Sequence, residues 1–288
     1  MLVSFRIFSA CIVLSVISGI QLQAQKATCS FNTWVLNPNN PSNPAAFATG
    51  VNDNRTVVGA ATYYFNKPNS SGFVHYFSGK ITYWRPANAK YSGFGRRNNW
   101  GNTTGFYVDT LGIQHAVYLH GSTTALIVHP KAAFHSTALI DINNLNTLLG
   151  EYQDANRNFH IFKRHSDGTF HAVPNFPGAK QTDAGGFNDN GVVVGHYILP
   201  SDASEFSHGF IYRNGSFATL DYRNKAGETF LVGISKQGVI AGNFWGNGFL
   251  YKNGTFKDIV FPNGRPVIVR GISANGIITG DGFDATCQ

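Results

Sequence analysis

Charged side chains are scarce in this 288-residue chain: they make up 13% of it, against roughly 25% in an average globular protein. So low a charged fraction, together with 43% hydrophobic and 14% aromatic residues, excludes an intrinsically disordered chain. The net charge of +7 is only mildly basic and indicates a solvated surface rather than a nucleic-acid partner. Glycine is abundant instead, with 32 residues, which favours short strands joined by tight turns.

Familiar catalytic and cofactor motifs are also missing. The sequence contains no Gly-x-Ser-x-Gly nucleophile elbow, no His-Glu-x-x-His zinc motif and no glycine-rich phosphate loop. Acidic residues, which often serve as general acids and bases in enzymes, are few: the chain contains 15 Asp and Glu. These absences predict a protein without a bound cofactor and favour a non-enzymatic role.

Beyond the first residues, no apolar run is long enough to span a membrane, which takes about 20 residues. Residues 1–24 have the pattern of a signal peptide, because Arg6 precedes a largely apolar run from Ile7 to Ile20 and Leu22-Gln23-Ala24 forms a cleavage site. Residues 25–288 are then the mature chain. We expect it to be a single domain without a membrane span, secreted to the extracellular space or the periplasm.

Only three cysteines are present, and one of them, Cys11, lies in the leader. The other two, Cys29 and Cys287, lie near the two ends of the mature chain. An even pair of cysteines in an oxidising compartment predicts a disulfide. Two free thiols, or bonds to separate partners, are the alternatives.

What the chain does contain is a repeat. A glycine at the end of a short apolar segment recurs at Gly59, Gly105, Gly150, Gly195, Gly242 and Gly280, with spacings of 46, 45, 45, 47 and 38 residues. Each unit has four short apolar segments, and turn pairs such as Asn214-Gly215 join two of them in a type I′ hairpin. Four strands in a period near 45 residues are typical of a propeller blade. The sequence therefore predicts an all-β protein, a six-bladed β-propeller of four-stranded antiparallel blades.

The ends of the chain fit a closed ring. The mature chain begins near Cys29 with a strand that forms the second half of a hairpin in the other repeats, but no first half precedes it. At the other end of the chain, residues 282–287 repeat the pattern of that first half. We expect the C-terminal strand to join the first blade and to bring the two cysteines together at the hairpin turn. An open sandwich-like or solenoid array is the alternative, and it would leave the terminal strand with an unpaired edge.

The repeat resembles the HAF family of probable extracellular repeat proteins. The resemblance rests on His115-Ala116-Val117, His160-Ile161-Phe162 and His208-Gly209-Phe210, and on the turn segments 186–191 and 271–276. It covers nearly all of the mature chain. The resemblance implies export and a propeller-like repeat fold, but no particular activity.

The most irregular stretch of the repeat, residues 91–102, is the first candidate site. Arg96, Arg97 and Trp100 stand there in place of the usual turn residues. Function is often grafted onto such departures from a repeat, and an exposed Trp with Arg suits a sugar ring or an anionic polymer. Tyr63-Tyr64 and Phe244-Trp245 follow the corresponding strands of two other repeats. If that end of the blades forms one face, these aromatic residues, Trp245 among them, would extend the ligand-binding surface; ordinary packing between blades is the alternative. A decayed loop with Trp100 tucked against its neighbour is the alternative.

Three histidines form a second candidate site. His115, His160 and His208 occupy the same position in three consecutive repeats. If that position faces the central channel, three imidazoles converge on a metal or an anion. If it lies outside the channel, they are hydrogen-bonding residues at a strand edge. The Asn-Asp-Asn segments at 52–54 and 188–190 lack the ligand spacing of a calcium loop, so we interpret them as supports for turns.

Glu151 and His196 are the candidate catalytic pair. Both follow the closing glycine of their repeat, in adjacent repeats, and they could serve as acid and base. The preferred function is nevertheless a binding module, with extracellular polysaccharide or another extracellular protein as the partner. A carbohydrate-active lyase or hydrolase with its site at the channel mouth is the first alternative. A structural envelope protein without a ligand is the second.

Overall fold

The computed structural model describes residues 11–15, 30–34, 46–61, 70–202, 206–225, 227–261 and 264–282. Its regular structure is β-strand, apart from a single 3₁₀ turn at Tyr222–Asn224 among these residues. No helix in this part of the chain is long and apolar enough to cross a membrane. The prediction of an all-β propeller with four-stranded antiparallel blades is confirmed.

The strands pair into sheets of four. Those of the first half of the chain are β1 Cys11–Ser15, β2 Ser30–Trp34, β3 Ala46–Val51, β4 Val57–Ala61, β5 Ser71–His75, β6 Ile81–Trp84, β7 Ala89–Arg97, β8 Thr103–Asp109, β9 Gln114–His120, β10 Thr123–Leu126, β11 Ala138–Ile142 and β12 Leu148–Gln153. Those of the second half are β13 Phe159–Arg164, β14 Phe170–Val173, β15 Gln181–Phe187, β16 Val193–Ile198, β17 His208–Arg213, β18 Ser216–Thr219, β19 Thr229–Ile234, β20 Ile240–Phe244, β21 Asn247–Lys252, β22 Thr255–Asp258, β23 Val267–Ile272 and β24 Ile278–Gly282.

Five of the sheets are blades made of four consecutive strands, and we number them in chain order. Blade 1 is β3–β6, blade 2 is β7–β10, blade 3 is β11–β14, blade 4 is β15–β18 and blade 5 is β19–β22. The remaining sheet is composite, with the order β2-β1-β24-β23, so that it joins the two ends of the chain.

The composite sheet corrects the predicted ring. The strand beside β24 is β1, which lies within the predicted signal peptide and pairs Leu14 with Ile278. We expected the C-terminal residues in that position. The structure thus shows five complete blades rather than six, and closure of the ring by the C-terminal strand is not confirmed. The predicted disulfide cysteines, Cys29 and Cys287, lie outside the described residues.

The blades give the propeller two different faces. The hairpin face carries the turn between the first and second strands of each blade, such as residues 98–102 and 143–147. The crossover face carries the turn between the second and third strands and the links between blades, such as residues 127–137. Because strands alternate in direction, the two ends of one strand always lie on opposite faces.

The recurring glycine is required by a close approach inside each blade. At Gly105, an added Cβ would lie 2.5 Å from the carbonyl oxygen of Gly93 on the innermost strand. The predicted type I′ turn is also present, since Asn214 and Gly215 both have positive φ, 51° and 83°. The repeat therefore reflects steric needs of the blade.

The core lies between neighbouring blades. Its largest fully buried side chains include the phenylalanines at one position of the third strand, Phe73, Phe162, Phe210 and Phe249. Three of them, Phe73, Phe210 and Phe249, each pack in a cluster of buried hydrophobic residues from adjacent strands and blades. Phe162 packs against the rings of Tyr152 and Phe170. Truncating such a buried Phe typically costs about 3–5 kcal/mol, so these positions hold the blades together.

The innermost strand of each sheet, including β23 of the composite sheet, carries a β-bulge at an equivalent position. In blade 1 the register shifts between Ala48 and Gly50, which leaves one extra residue. In blade 2 it shifts between Phe94 and Arg97, where Gly95 and Arg96 lie opposite the single residue Thr104, so one extra residue is left here as well. A bulge redirects the side chains it contains, and by this shared register Arg96 occupies the position that Gly50 holds in blade 1.

The Asn-rich turns join the blades on the hairpin face. Asn98 is 3% exposed; its Oδ1 accepts the backbone N–H groups of Trp100 and Asn102 within its own turn, at 3.1 and 3.0 Å. Its Nδ2 donates to the carbonyl of Asn143 in blade 3, at 3.0 Å. Asn52 and Asn188 make the same kind of bond to the next blade. The interpretation of these segments as supports for turns is confirmed, and they also link blades.

Candidate functional site

The innermost strands line a central channel, and the side chain of Arg96 lies across it. The guanidinium donates to the carbonyl of Thr49 in blade 1, to that of Val232 in blade 5 at 3.2 Å, and to that of Arg270 in the composite sheet at 2.8 Å. Burial lowers the pKa of Arg96. The bulge of blade 2 therefore places Arg96 inside the channel rather than on an exposed loop.

An acidic group that the sequence analysis did not select faces Arg96. The carboxylate of Asp141 accepts the backbone N–H groups of Ile142 at 2.8 Å and Phe187 at 3.0 Å. Burial raises its pKa to about 6, and the charge of Arg96 opposes that rise. A sequence signal did exist, because Asp141 stands where other repeats have glycine, such as Gly50 and Gly271.

Arg96 separates two cavities along the axis. The one toward the hairpin face has a volume of only about 40 Å³. The one at the crossover face is about 430 Å³ and is lined by Arg96, His196, Phe230, Asn243 and Arg270, among others. The larger cavity is the mouth at which the sequence placed its candidate catalytic pair.

Glu151 lies beside this mouth and is engaged in a bond between blades. Its Oε1 accepts the backbone N–H of Ala184 at 2.5 Å. Asn243, at the equivalent position of blade 5, accepts the N–H of Val269 at 2.8 Å and donates to its carbonyl at 2.9 Å. Burial raises the pKa of Glu151 to about 7, while the bond from Ala184 opposes the rise and the charge of Asp183 adds to it.

His196 lines the mouth itself. Its Nε2 lies 3.3 Å from the carboxylate of Asp183 on the neighbouring strand, and its ring meets the ring of Phe230 edge to face at 4.5 Å. Burial lowers the pKa of His196, although Asp183 acts in the opposite direction. Within the described part of the chain, Glu151 and His196 are linked only through the adjacent residues Asp183 and Ala184.

The three repeated histidines are not brought together. His115, His160 and His208 each bond an aspartate of their own blade, Asp109 at 2.9 Å, Asp154 at 2.8 Å and Asp221 at 2.8 Å. They begin third strands, two strands outward from the channel. Among the residues that the structure describes, no group of three or more His, Cys, Asp or Glu side chains could hold a metal ion.

Trp100 is exposed and fixed in orientation. Of its surface, 73% is exposed on the hairpin face, and its Nε1–H donates to the carbonyl of Asn144 in blade 3 at 2.9 Å. The neighbouring Arg97 is half-buried, bonds the hydroxyl of Thr103 at 2.7 Å and lies over the ring of Tyr76. Trp100 is thus held across the boundary between blades 2 and 3.

Trp245 lies on the other face. It is 52% exposed, follows β20 in the turn to β21 on the crossover face, and contacts the edge of Phe206 at 5.4 Å. Trp100 and Trp245 therefore lie on opposite faces. The prediction that they share one ligand-binding surface is wrong. Tyr63 and Tyr64, the other residues considered for that surface, lie outside the described residues.

Comparison with known proteins supports the fold alone. No protein-family model matches the sequence, and no curated protein is significantly similar to it. Among solved structures, the β-propeller domain of the trilobed protease from Pyrococcus furiosus aligns with a TM-score of 0.51 at 12% identity, over 83% of this chain and 79% of that one.

Two propellers of different activity align less well. Virginiamycin B lyase from Staphylococcus aureus gives a TM-score of 0.47 at 10% identity, over 85% of this chain and 79% of the lyase. The lectin from Aleuria aurantia gives 0.46 at 12% identity, over 81% and 85%. At such identities the similarity carries no information about activity.

Proposed function

We propose that this protein is an exported binding module for extracellular polysaccharide, and that its ligand contacts Trp100 on the hairpin face. The observation that carries the proposal is that the Trp100 side chain is 73% exposed and yet tied by its Nε1–H to Asn144. An aromatic ring that is exposed and already fixed offers a flat apolar surface to a sugar and loses little side-chain entropy on binding.

The surroundings of Trp100 support the same function. Leu145, 62% exposed, lies in the next turn beside the residue that holds the indole. The residues next to these two apolar groups in sequence, Asn99 and Asn144, have partly exposed side chains. Apolar surface beside hydrogen-bonding amides is a mixture that suits a sugar. Export rests on the leader at residues 1–24 and on the resemblance to the HAF family, both of which stay predictions.

A glycan array with the mature protein tests the proposal. We expect binding to a subset of polysaccharides, and about 10-fold or more weaker binding by Trp100→Ala, because one stacked aromatic contributes on the order of 1.5 kcal/mol. Trp245→Ala is the matched control, since it removes a half-exposed indole from the opposite face. Equal loss in both variants, or none in Trp100→Ala, would contradict a site at Trp100.

A carbohydrate-active enzyme at the channel mouth is the second candidate. It is favoured by one observation. The carboxyl of Glu151, whose pKa burial raises to about 7, bonds the backbone of Ala184, next to the Asp183 that contacts His196. A pKa near 7 is the range in which one group can serve as acid or base. Incubation of bound polysaccharides with the protein should then release fragments, and His196→Ala and Glu151→Gln should abolish release. Glu151→Gln keeps an acceptor for Ala184, so loss of turnover there would not simply reflect a lost bond between blades.

We also propose that the mature protein has six blades. Once residues 1–24 are removed, the place of β1 between β24 and β2 is free for the C-terminal residues, which would bring Cys29 to Cys287. The chain-entropy model assigns a disulfide across so long a loop about 5 kcal/mol. Peptide mapping of secreted protein without reduction should find the two cysteines in one linked peptide pair, whereas two free thiols would contradict this closure.

A further inference from the structure

A cleft opens on the hairpin face between blades 2 and 3, the two blades that the bond from Trp100 to Asn144 joins. Its volume is about 380 Å³, and it is lined by Tyr118, His120, Asn146 and Arg164, among others. This volume falls within the range of small-molecule sites, which begins at about 300 Å³. Asn102, in the same turn as Trp100, donates to the Oδ1 of Asn146 in the wall of the cleft at 2.6 Å.

Three groups in the walls of the cleft lack a hydrogen-bond partner among the described residues. The guanidinium of Arg164 lies over the ring of Phe170 at 5.7 Å and is otherwise unbonded there. The hydroxyl of Tyr118 is unbonded too, and burial raises its pKa, so it remains a donor at neutral pH. Polar groups left unpaired in the wall of a cleft are those that a ligand would satisfy.

The third group is the Nε2 of His120. Its Nδ1 lies 2.8 Å from the Oδ1 of Asn102, while the amide nitrogen of Asn102 donates to Asn146. The orientation of that amide makes Nδ1 the donor, which leaves Nε2 of the neutral ring available to a ligand hydroxyl.

The cleft favours a negatively charged ligand. Its lining, in the part of the chain that the structure describes, contains no Asp or Glu. Asp167 follows the lining residue Ser166 in sequence. Its carboxylate accepts the backbone N–H and the hydroxyl of Thr169, at 2.9 and 2.7 Å. The positive charge of Arg164 is therefore available, and a guanidinium matches a carboxylate with two parallel hydrogen bonds.

We infer that this cleft binds the carboxylate of a uronic acid residue within an acidic polysaccharide, while a neighbouring sugar of the same chain stacks on Trp100. The inference rests on the proposed binding function and names its ligand class. Arg164 holds the carboxylate, the hydroxyl of Tyr118 supplies a further donor, and Nε2 of His120 accepts from a sugar hydroxyl.

Calorimetric titration with an oligogalacturonate, its methyl ester and a sulfated oligosaccharide tests the inference. The ester keeps the sugar and removes the charge. We expect the acid to bind more tightly than both others, and its binding to be about 10- to 100-fold weaker in Arg164→Gln, as for the loss of a charged hydrogen bond. Arg213→Gln, which removes an exposed arginine from the end of the equivalent strand of blade 4, should leave binding unchanged.

The outcomes separate this inference from the proposed function. Equal binding of acid and ester, preference for the sulfated ligand, or unchanged affinity in a folded Arg164→Gln would overturn the uronate site and leave a polysaccharide-binding role intact. Binding of no glycan, acidic or neutral, would overturn both. Thermal unfolding of each variant checks that a loss of binding does not arise from a loss of fold.

Discussion

The guanidinium of Arg96 and the carbonyl of Arg270 meet across the channel at 2.8 Å, although 174 residues separate them in sequence. The same side chain bonds the carbonyls of Thr49 and Val232. One residue of blade 2 therefore connects blade 1, blade 5 and the composite sheet, and its charge lies close to the buried carboxyl of Asp141.

The first prediction concerns this connection. Arg96→Met should lower the free energy of unfolding by about 2–4 kcal/mol, because it leaves channel carbonyls without donors and Asp141 without a positive neighbour. Arg96→Lys should fall between the wild type and the Met variant, since one ammonium keeps the charge but bonds fewer carbonyls. Urea unfolding measures both; a Met variant as stable as the wild type would show that the channel tolerates the loss.

The second prediction concerns the pH dependence of stability at Glu151. Its pKa is about 7 in the folded protein, against an ordinary value of 4.5. Between these values the folded state holds a proton that the unfolded chain has released, so stability falls as the pH rises through this window. The fall amounts to at most about 3 kcal/mol.

Glu151→Gln has no proton to lose and should escape this fall. We expect the variant to gain stability relative to the wild type as the pH is raised from 4 to 8, measured as the difference in urea unfolding free energy. Parallel curves for the two proteins would mean that Glu151 ionises as easily in the folded as in the unfolded state.

The third prediction tests the close approach at the recurring glycine. Gly105→Ala should prevent blade 2 from folding normally, because its Cβ would lie 2.5 Å from the carbonyl oxygen of Gly93. Gly79→Ala is the control: an added Cβ there meets nothing within 4 Å, and only the φ of 87° opposes it, at a cost of about 1 kcal/mol. Soluble yield and thermal unfolding should separate the two variants; equal behaviour would argue against a steric origin of the repeat.

The fourth prediction concerns the Asn-rich turns. Asn98 is 3% exposed and bonds both its own turn and blade 3. Asn98→Ala should cost about 2–4 kcal/mol, because it leaves several buried polar groups unpaired. Asn54→Ala removes an exposed side chain with one bond to the next blade and should cost less than about 0.5 kcal/mol. Similar losses in both, by urea unfolding, would contradict a special role for Asn98.

The fifth prediction concerns acid unfolding. The bond from His160 lowers the pKa of Asp154 to about 2. A depressed carboxyl pKa stabilises the folded state above the ordinary value, and this contribution disappears as the pH falls through the folded value. The stability difference between wild type and Asp154→Asn should therefore shrink from pH 5 to pH 2. A constant difference would show that the pair makes no electrostatic contribution.

The strands were predictable because their signals are local. Asn214-Gly215 marks a hairpin wherever it occurs, and the glycine of each repeat fixes the spacing of the blades. The composite sheet was not predictable in this way, because the partner of β24 depends on which distant segment competes for its free edge. Pairing between the chain ends has no local signal.

The site could be predicted only in part, for a similar reason. The unusual character of residues 91–102 was visible in sequence, but the bulge that all blades share turned Arg96 into the channel and left Trp100 outside. Trp100 and Trp245 both adjoin second strands, at opposite ends, and residue spacing does not reveal which end faces which side. The cleft at Arg164 gave no motif, since its groups come from two blades.

The position of the Arg96 side chain across the central channel affects which solutes can pass along the axis. Arg96 lies in the walls of both axial cavities, and its guanidinium bonds carbonyls of three sheets across the channel. We therefore expect this side chain to obstruct the passage of solutes along the axis, so that a ligand on one face is separated from a ligand on the other.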